Sequence, residues 1–175
     1  MQLNSMAVSV GDLLKEKNQT VSVSEASAGG LISAALLSVS GASAYFVGGG
    51  VIYTRQARRV LIGAPEDVVT MRASTEEFAL IMARLIREKL DTDWGLCETG
   101  ASGPTGNRYG DEAGHCCMAV SGPVEAAITL ETGKLIWIKN HGVPIKSKIK
   151  IFDNKIFLIN QDNRIICLDA EKGTK

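Results

Sequence analysis

Two short strings concentrate the chemistry of this sequence: Ser24-Glu25-Ala26-Ser27-Ala28-Gly29-Gly30, and Thr99-Gly100-Ala101-Ser102-Gly103-Pro104-Thr105-Gly106. A glycine pair where a strand gives way to a helix lets the backbone come close to an anion. The helix N-terminus then supplies unpaired N–H groups and partial positive charge. Both strings follow stretches that read as strands, and open α/β sheets place their ligands outside strand carboxyl ends. The pairing points to one nucleotide-handling pocket, with Gly29, Gly30 and Gly103 as its backbone lining.

The side chains around the strings have two readings each. Glu25 either orients a base or ribose hydroxyl or caps the helix after it. Ser24 and Ser27 are candidate nucleophiles, although serine near a helix start commonly caps it. Arg58 and Arg59 clamp a phosphate or solubilise an exposed helix, and Tyr53 stacks on a base or fills the edge of the core. Asn107-Arg108-Tyr109 puts three large polar groups inside a glycine-rich run and reads as a ligand-facing loop. His115, at a strand start, reads as structural.

The elements that must position these groups follow from periodicity. Val8, Val10, Leu13 and Leu14 predict an amphipathic helix from residue 6; residues 20–24 alternate as a strand; residues 31–37 read as a helix opening after the glycine turn. A buried strand is expected at residues 51–53, after Gly48-Gly49-Gly50. Thr54 caps a helix over 55–61, closed by Gly63 and Pro65. Ser74-Thr75-Glu76-Glu77 reads as a capping box ahead of a helix running to Asp91. Residues 94–99 read as the strand that delivers the second string, and 115–121 with 124–130 as a hairpin pair around Gly122-Pro123. Alternating strands and helices predict an α/β domain with helices on both sheet faces.

Composition narrows the function class. The formal net charge is zero, which speaks against a nucleic-acid or membrane-surface role. No long apolar run and no basic, apolar leader appear, so a cytoplasmic chain is expected. Cys97, Cys116, Cys117 and Cys167 form no CxxC and read as reduced structural thiols, with neither metal nor cofactor implied. The neutral total hides an asymmetry: residues 1–133 carry 10 Lys+Arg against 15 Asp+Glu, residues 134–175 carry 9 against 4. Alanine falls from seventeen to one across that boundary while isoleucine rises from six to nine. Two domains are therefore expected, 1–133 and 134–175. The second holds four short strands, around 135–138, 149–152, 156–159 and 164–168, with glycines at 133 and 173 inside the period of propeller blades.

Residues from about 21 to 122 resemble the C-terminal domain of the competence/damage-inducible CinA proteins, the nicotinamide mononucleotide deamidases. The resemblance rests on Glu25-Ala26-Ser27-Ala28-Gly29-Gly30, on Gly41-Ala42-Ser43-Ala44-Tyr45-Phe46 with Gly48-Gly49, on Tyr53-Thr54 before a basic helix, on Leu61-Ile62-Gly63 and on Thr99-Gly100-Ala101-Ser102-Gly103-Pro104. It implies a three-layer α/β/α sandwich that hydrolyses the carboxamide of nicotinamide mononucleotide to nicotinate mononucleotide and ammonia, without a cofactor. The family's first motif is Glu-Ser-Cys/Ser-Thr-Gly-Gly, whose serine looks like the nucleophile.

Here Ala26 stands at the nucleophile position and Ala28 replaces the threonine. Arg58 matches a lysine that would help activate the serine, and Thr99 is retained. The resemblance implies catalytic positions at Ala26, Ser27, Arg58 and Thr99, and nucleotide contacts at Glu25, Gly29, Gly30, Tyr53, Gly103 and Arg108. With no hydroxyl at position 26, the expectation is a nucleotide-binding shape with little or no amidase activity. The family's last strand leads into a long C-terminal helix, whereas residues from about 130 resemble one quinoprotein-type β-propeller repeat. The uncovered sheet face and the tail strands make a homo-oligomer the expectation, with a small-molecule nucleotide as ligand. The alternative is a non-enzymatic binding module whose tail strands mediate self-association.

Overall fold

The computed structural model describes residues 3–131, 150–152, 155–159 and 165–169. The chain divides into two units, one of Gln2–Gly133 and one containing Lys134–Lys175. In the first, a five-stranded sheet has the order β2-β1-β3-β4-β5, with β1 (Val21–Glu25), β2 (Phe46–Val51), β3 (Trp94–Ala101), β4 (His115–Ser121) and β5 (Glu125–Glu131). The strands β2, β1 and β3 run parallel, and β3, β4 and β5 are antiparallel neighbours. In the second unit β6 (Lys150–Phe152), β7 (Lys155–Ile159) and β8 (Ile165–Asp169) form an antiparallel sheet. The strand expected at 135–138 and the glycines at 133 and 173 lie outside the described residues.

Strand alternation makes the core two-sided. On one face Phe78, Met82 and Ile86 of α5 (Glu76–Leu90) pack on Cys97, Cys117 and Ala119. On the other, Ala7 and Leu14 of α1 (Leu3–Lys17) and Leu36 of α2 (Leu31–Leu37) pack with Val21, Val23 and Tyr45. The result is the three-layer arrangement of helices on both sheet faces. That second face is incompletely covered. An apolar groove of about 500 Å³ runs between α1 and the sheet, bordered by Val10, Leu13, Trp94, Leu96, Met118 and Val120. Among the described residues no helix is long and apolar enough to cross a membrane.

Several local expectations are corrected. The glycines at 48–50 lie inside β2 rather than before it, and the strand ends at Val51 with its residues alternating between half-buried and exposed, so the buried strand expected at 51–53 is not formed. Gly49 is needed because a Cβ there would come within 2.5 Å of Ser33 Oγ and 3.1 Å of the Val23 carbonyl oxygen. The helix after Thr54 is α3 (Arg55–Ala57), which widens into a π-helical turn over Arg58–Ile62 before Gly63 ends it with φ of 73°. Pro65 does not close that segment; it opens a short helix, α4 (Glu66–Thr70), since proline lacks the N–H that a first turn leaves unused. Thr75, not Ser74, caps α5, its Oγ1 accepting from Phe78 N at 3.2 Å. Ser74 instead adopts a φ of 60° and turns its backbone into the region around the second string. Finally, β3 continues through Gly100 to Ala101, so the first three residues of that string are strand, paired with Cys117, Cys116 and His115 of β4.

Candidate functional site

The turn after β1 is organised by two buried carboxylates. Glu25 closes β1 and is 1% exposed. Its Oε2 accepts from the N–H groups of Gly30 and Ile32, both at 3.0 Å, and its Oε1 from Ser33 N at 2.8 Å and Ser33 Oγ at 2.6 Å. The open donors at the start of α2 are therefore satisfied from within, which selects the capping reading of Glu25. Gly29 and Gly30, with φ of 63° and 100°, supply the left-handed backbone that lets the chain double back over that carboxylate.

The second carboxylate is Glu98, on β3 and 3% exposed. Its Oε2 accepts from Ala26 N at 3.0 Å and Ala28 N at 2.8 Å, and its Oε1 accepts from the Ser27 hydroxyl. Sequence reasoning passed over Glu98; the signal was a charged residue inside an otherwise apolar strand, one place before Thr99. Ser33 and Ser74 were missed as well, and serines on helices and turns carry no comparable signal. Ala26 itself is partly exposed at the turn with only a methyl group to offer. Ser24 is buried in β1 and engaged with Cys97, so it has no path to a ligand.

Arg58 departs from both of its sequence readings. It is 5% exposed rather than on a solvated face, its Nη1 donates to the carbonyls of Val69 at 3.0 Å and Met71 at 3.2 Å, and its guanidinium lies 4.3 Å from the centre of the Phe78 ring. Its Nε has no partner, and burial pulls the pKa of the group below its ordinary value. Arg59 does face solvent and makes a two-pronged contact with Glu66. Tyr53 is 71% exposed and does not fill the core edge. Thr99 is buried, with its Oγ1 accepting from Ser74 N at 3.3 Å.

The second string ends in a polar loop. Gly103 has a φ of 102°, and its bond to Pro104 is cis. Asn107 holds the loop in shape: its Nδ2 donates to Asp111 Oδ2 at 2.8 Å and Ser74 Oγ at 3.3 Å, while its Oδ1 accepts from Tyr109 N and Asp111 N. Asn107 therefore faces inward, Arg108 is exposed, and Tyr109 is half-buried between them and Arg72. Arg108 Nη2 donates to the Tyr109 hydroxyl at 2.8 Å, and both Arg108 and Arg72 lie over the Tyr109 ring, at 4.9 and 5.5 Å. Burial works to raise the Tyr109 phenol, but the Arg108 hydrogen bond, a backbone contact at Ala73 and the charges of Arg108 and Arg58 together leave it below its ordinary value. His115 Nε2 donates to the Ser74 carbonyl at 2.9 Å, a structural role.

The sequence profile of the CinA C-terminal domain matches residues 3–134. A putative competence-damage inducible protein of Desulforamulus reducens is 38% identical over 115 residues, 65% of this chain and 28% of that protein. A CinA-like protein of Trichormus variabilis is 36% identical over 121 residues, 69% of this chain and 29% of that one. The chain thus aligns with under a third of the length of these curated relatives. Among solved structures, a competence/damage-inducible protein from Agrobacterium tumefaciens superposes with a TM-score of 0.69 at 26% identity, covering 76% of this chain and 82% of that one. A CinA superfamily protein from Escherichia coli superposes with a TM-score of 0.70 at 21% identity, over 75% of this chain and 78% of that one, a likeness of fold. By the extent of the profile match, this chain belongs to the CinA C-terminal domain family.

Proposed function

We propose that the domain is a nicotinamide-nucleotide amidohydrolase-like fold that binds its nucleotide with little or no turnover. The observation that carries this reading is Ala26, partly exposed on the turn after β1, at the place where the family motif has its nucleophilic serine. Acyl transfer from a carboxamide needs a nucleophile, a base to take its proton and donors for the oxyanion. Each is compromised here. Ser27 donates its hydroxyl to Glu98, Arg58 cannot take up a proton and is directed at backbone carbonyls, and the N–H groups of Ala26 and Ala28 already have an acceptor. Arg108 and Tyr53 remain as exposed groups for a phosphate and a ring.

Ammonia release from nicotinamide mononucleotide tests the reading. The expected result is no release above background by the natural sequence and a gain in the Ala26→Ser, Ala28→Thr double variant; robust turnover by the natural sequence overturns it. The nucleotide should also stabilise the folded protein by mass action.

A second reading, a self-associating binding module in the cytoplasm with a propeller-like tail, is favoured by the three-stranded sheet of the tail. Among the described residues its outer strands β6 and β8 each pair on one side only, and such edges template further strands. Sedimentation of the full chain over a range of concentrations, with and without the nucleotide, distinguishes the two: self-association with no nucleotide effect favours the module, and a concentration-independent monomer rejects it.

A further inference from the structure

Glu98 has a chemical consequence for ligands that the family fold alone does not supply. Its carboxyl group lies beneath the turn of residues 26–28, and both oxygens act as acceptors, from Ala26 N, Ala28 N and the Ser27 hydroxyl. The Cys116 thiol also donates to Oε1, at 3.9 Å. Among the described residues no lysine, arginine or histidine forms an ion pair with it. Residues 26–28 are partly exposed while Glu98 is 3% exposed. A group reaching the turn from solvent therefore meets donors already engaged, above a buried anion with no cation beside it. In such low-dielectric surroundings, charge of the same sign is strongly disfavoured and a neutral dipole is not.

We propose that Glu98 is the resident anion of this turn and that, by filling the donors a ligand carboxylate would take, it makes the site select a carboxamide over the corresponding carboxylate. This rests on the amidohydrolase-like reading, in which the ring's amide approaches position 26. The amide nucleotide is neutral at that substituent and its acid counterpart is negative there, so the charge of Glu98 disfavours the acid and leaves the amide unaffected. Glu98 is a positioning and selectivity residue, not a catalytic one.

Glu98→Gln is the informative variant. Its carbonyl oxygen can keep the two backbone N–H groups and its amide can donate to Ser27 Oγ, so the turn retains its contacts while the charge is gone. Calorimetric titration with nicotinamide mononucleotide and nicotinate mononucleotide should give a preference for the amide of about tenfold or more in the natural sequence, falling towards parity in Glu98→Gln. An unchanged ratio in the variant overturns the proposal.

A second arm needs no nucleotide. In Glu98→Ala the emptied donors should take formate, raising the melting temperature of that variant by about 2–4 °C while leaving the natural sequence and Glu98→Gln unmoved. An equal response in all three proteins overturns the resident-anion assignment. If formate acts as expected but neither nucleotide binds any of the proteins, the amidohydrolase-like reading fails and the role of Glu98 in the turn stands. Should Glu98→Ala not fold, comparison of the natural sequence with Glu98→Gln still decides the proposal through the ratio of the two nucleotides.

Discussion

The two glycine strings look alike on paper and differ in kind once folded. Around the first, the turn of residues 26–33 closes over two carboxylates, Glu25 and Glu98, that are 1% and 3% exposed and take seven hydrogen bonds from that turn. Around the second, the loop after β3 is held at the surface by Asn107, by the Arg72–Asp111 ion pair at 2.8 Å and by guanidinium groups stacked on Tyr109. A buried acceptor with several donors is costly to remove because each donor loses its partner away from water, whereas exposed pairs exchange partners with solvent at little cost. The first string is thus pinned by buried acceptors beneath a partly exposed turn, and the second passes from buried strand at residues 99–101 into a loop held by polar pairs.

The strongest way to break this contrast is Glu25→Ala. It leaves the N–H groups of Gly30, Ile32 and Ser33 without an acceptor, so urea denaturation should show a loss of about 3 kcal/mol; a loss no larger than that of a surface change erases the distinction. Next come the glycines themselves. Gly100→Ala would place a Cβ 2.3 Å from the His115 carbonyl oxygen and 2.9 Å from Cys116 Cα, both backbone atoms, and should cost about 2 kcal/mol. Gly29→Ala meets nothing within 4 Å and bears only its φ of 63°, so about 1 kcal/mol is expected, and the reverse order would show that space is not what Gly100 supplies.

Asp111→Ala removes the partner of Arg72 and one acceptor of Asn107 at the surface loop. The Asp111 side chain is 12% exposed, so the loss is about 1 kcal/mol, still well below that of Glu25→Ala, with any loss of nucleotide affinity exceeding the loss of stability. The smallest effect concerns protons. Burial first, and then the charge of Glu98, push the Cys116 thiol up to about 11. It should therefore stay protonated through neutral pH, and alkylation by iodoacetamide should accelerate only as pH rises towards that value. Glu98→Gln should move the onset of reaction to lower pH; an unmoved profile would mean that Glu98 does not act on the thiol.

Much of the scaffold was legible because it rests on local rules. Helix α5 follows from Phe78, Met82 and Ile86 at helical spacing between Thr75 and Asp91, and the β4–β5 hairpin from alternation around Gly122-Pro123. Glu25 was legible as a residue that matters but not in which way, since capping and ligand contact use the same carboxylate. Arg58 was misplaced because its guanidinium is drawn inward by the carbonyls of Val69 and Met71, partners 11 and 13 positions away that helical periodicity does not foresee. Helix α4 was missed because a proline after a glycine reads as an ending, although it serves equally well as a beginning.

The amino-acid order by itself determined the family, the helix and strand periods and the absence of a hydroxyl at position 26, because each depends on residue type or near-neighbour spacing. Only the tertiary structure decided what the turn's donors face. Glu98 is 72 positions from Ala26 and meets it because β1 and β3 are adjacent parallel strands, a pairing that brings the end of one strand beside the side chains of the other. That juxtaposition makes the first glycine string an internally satisfied turn instead of an open anion cradle.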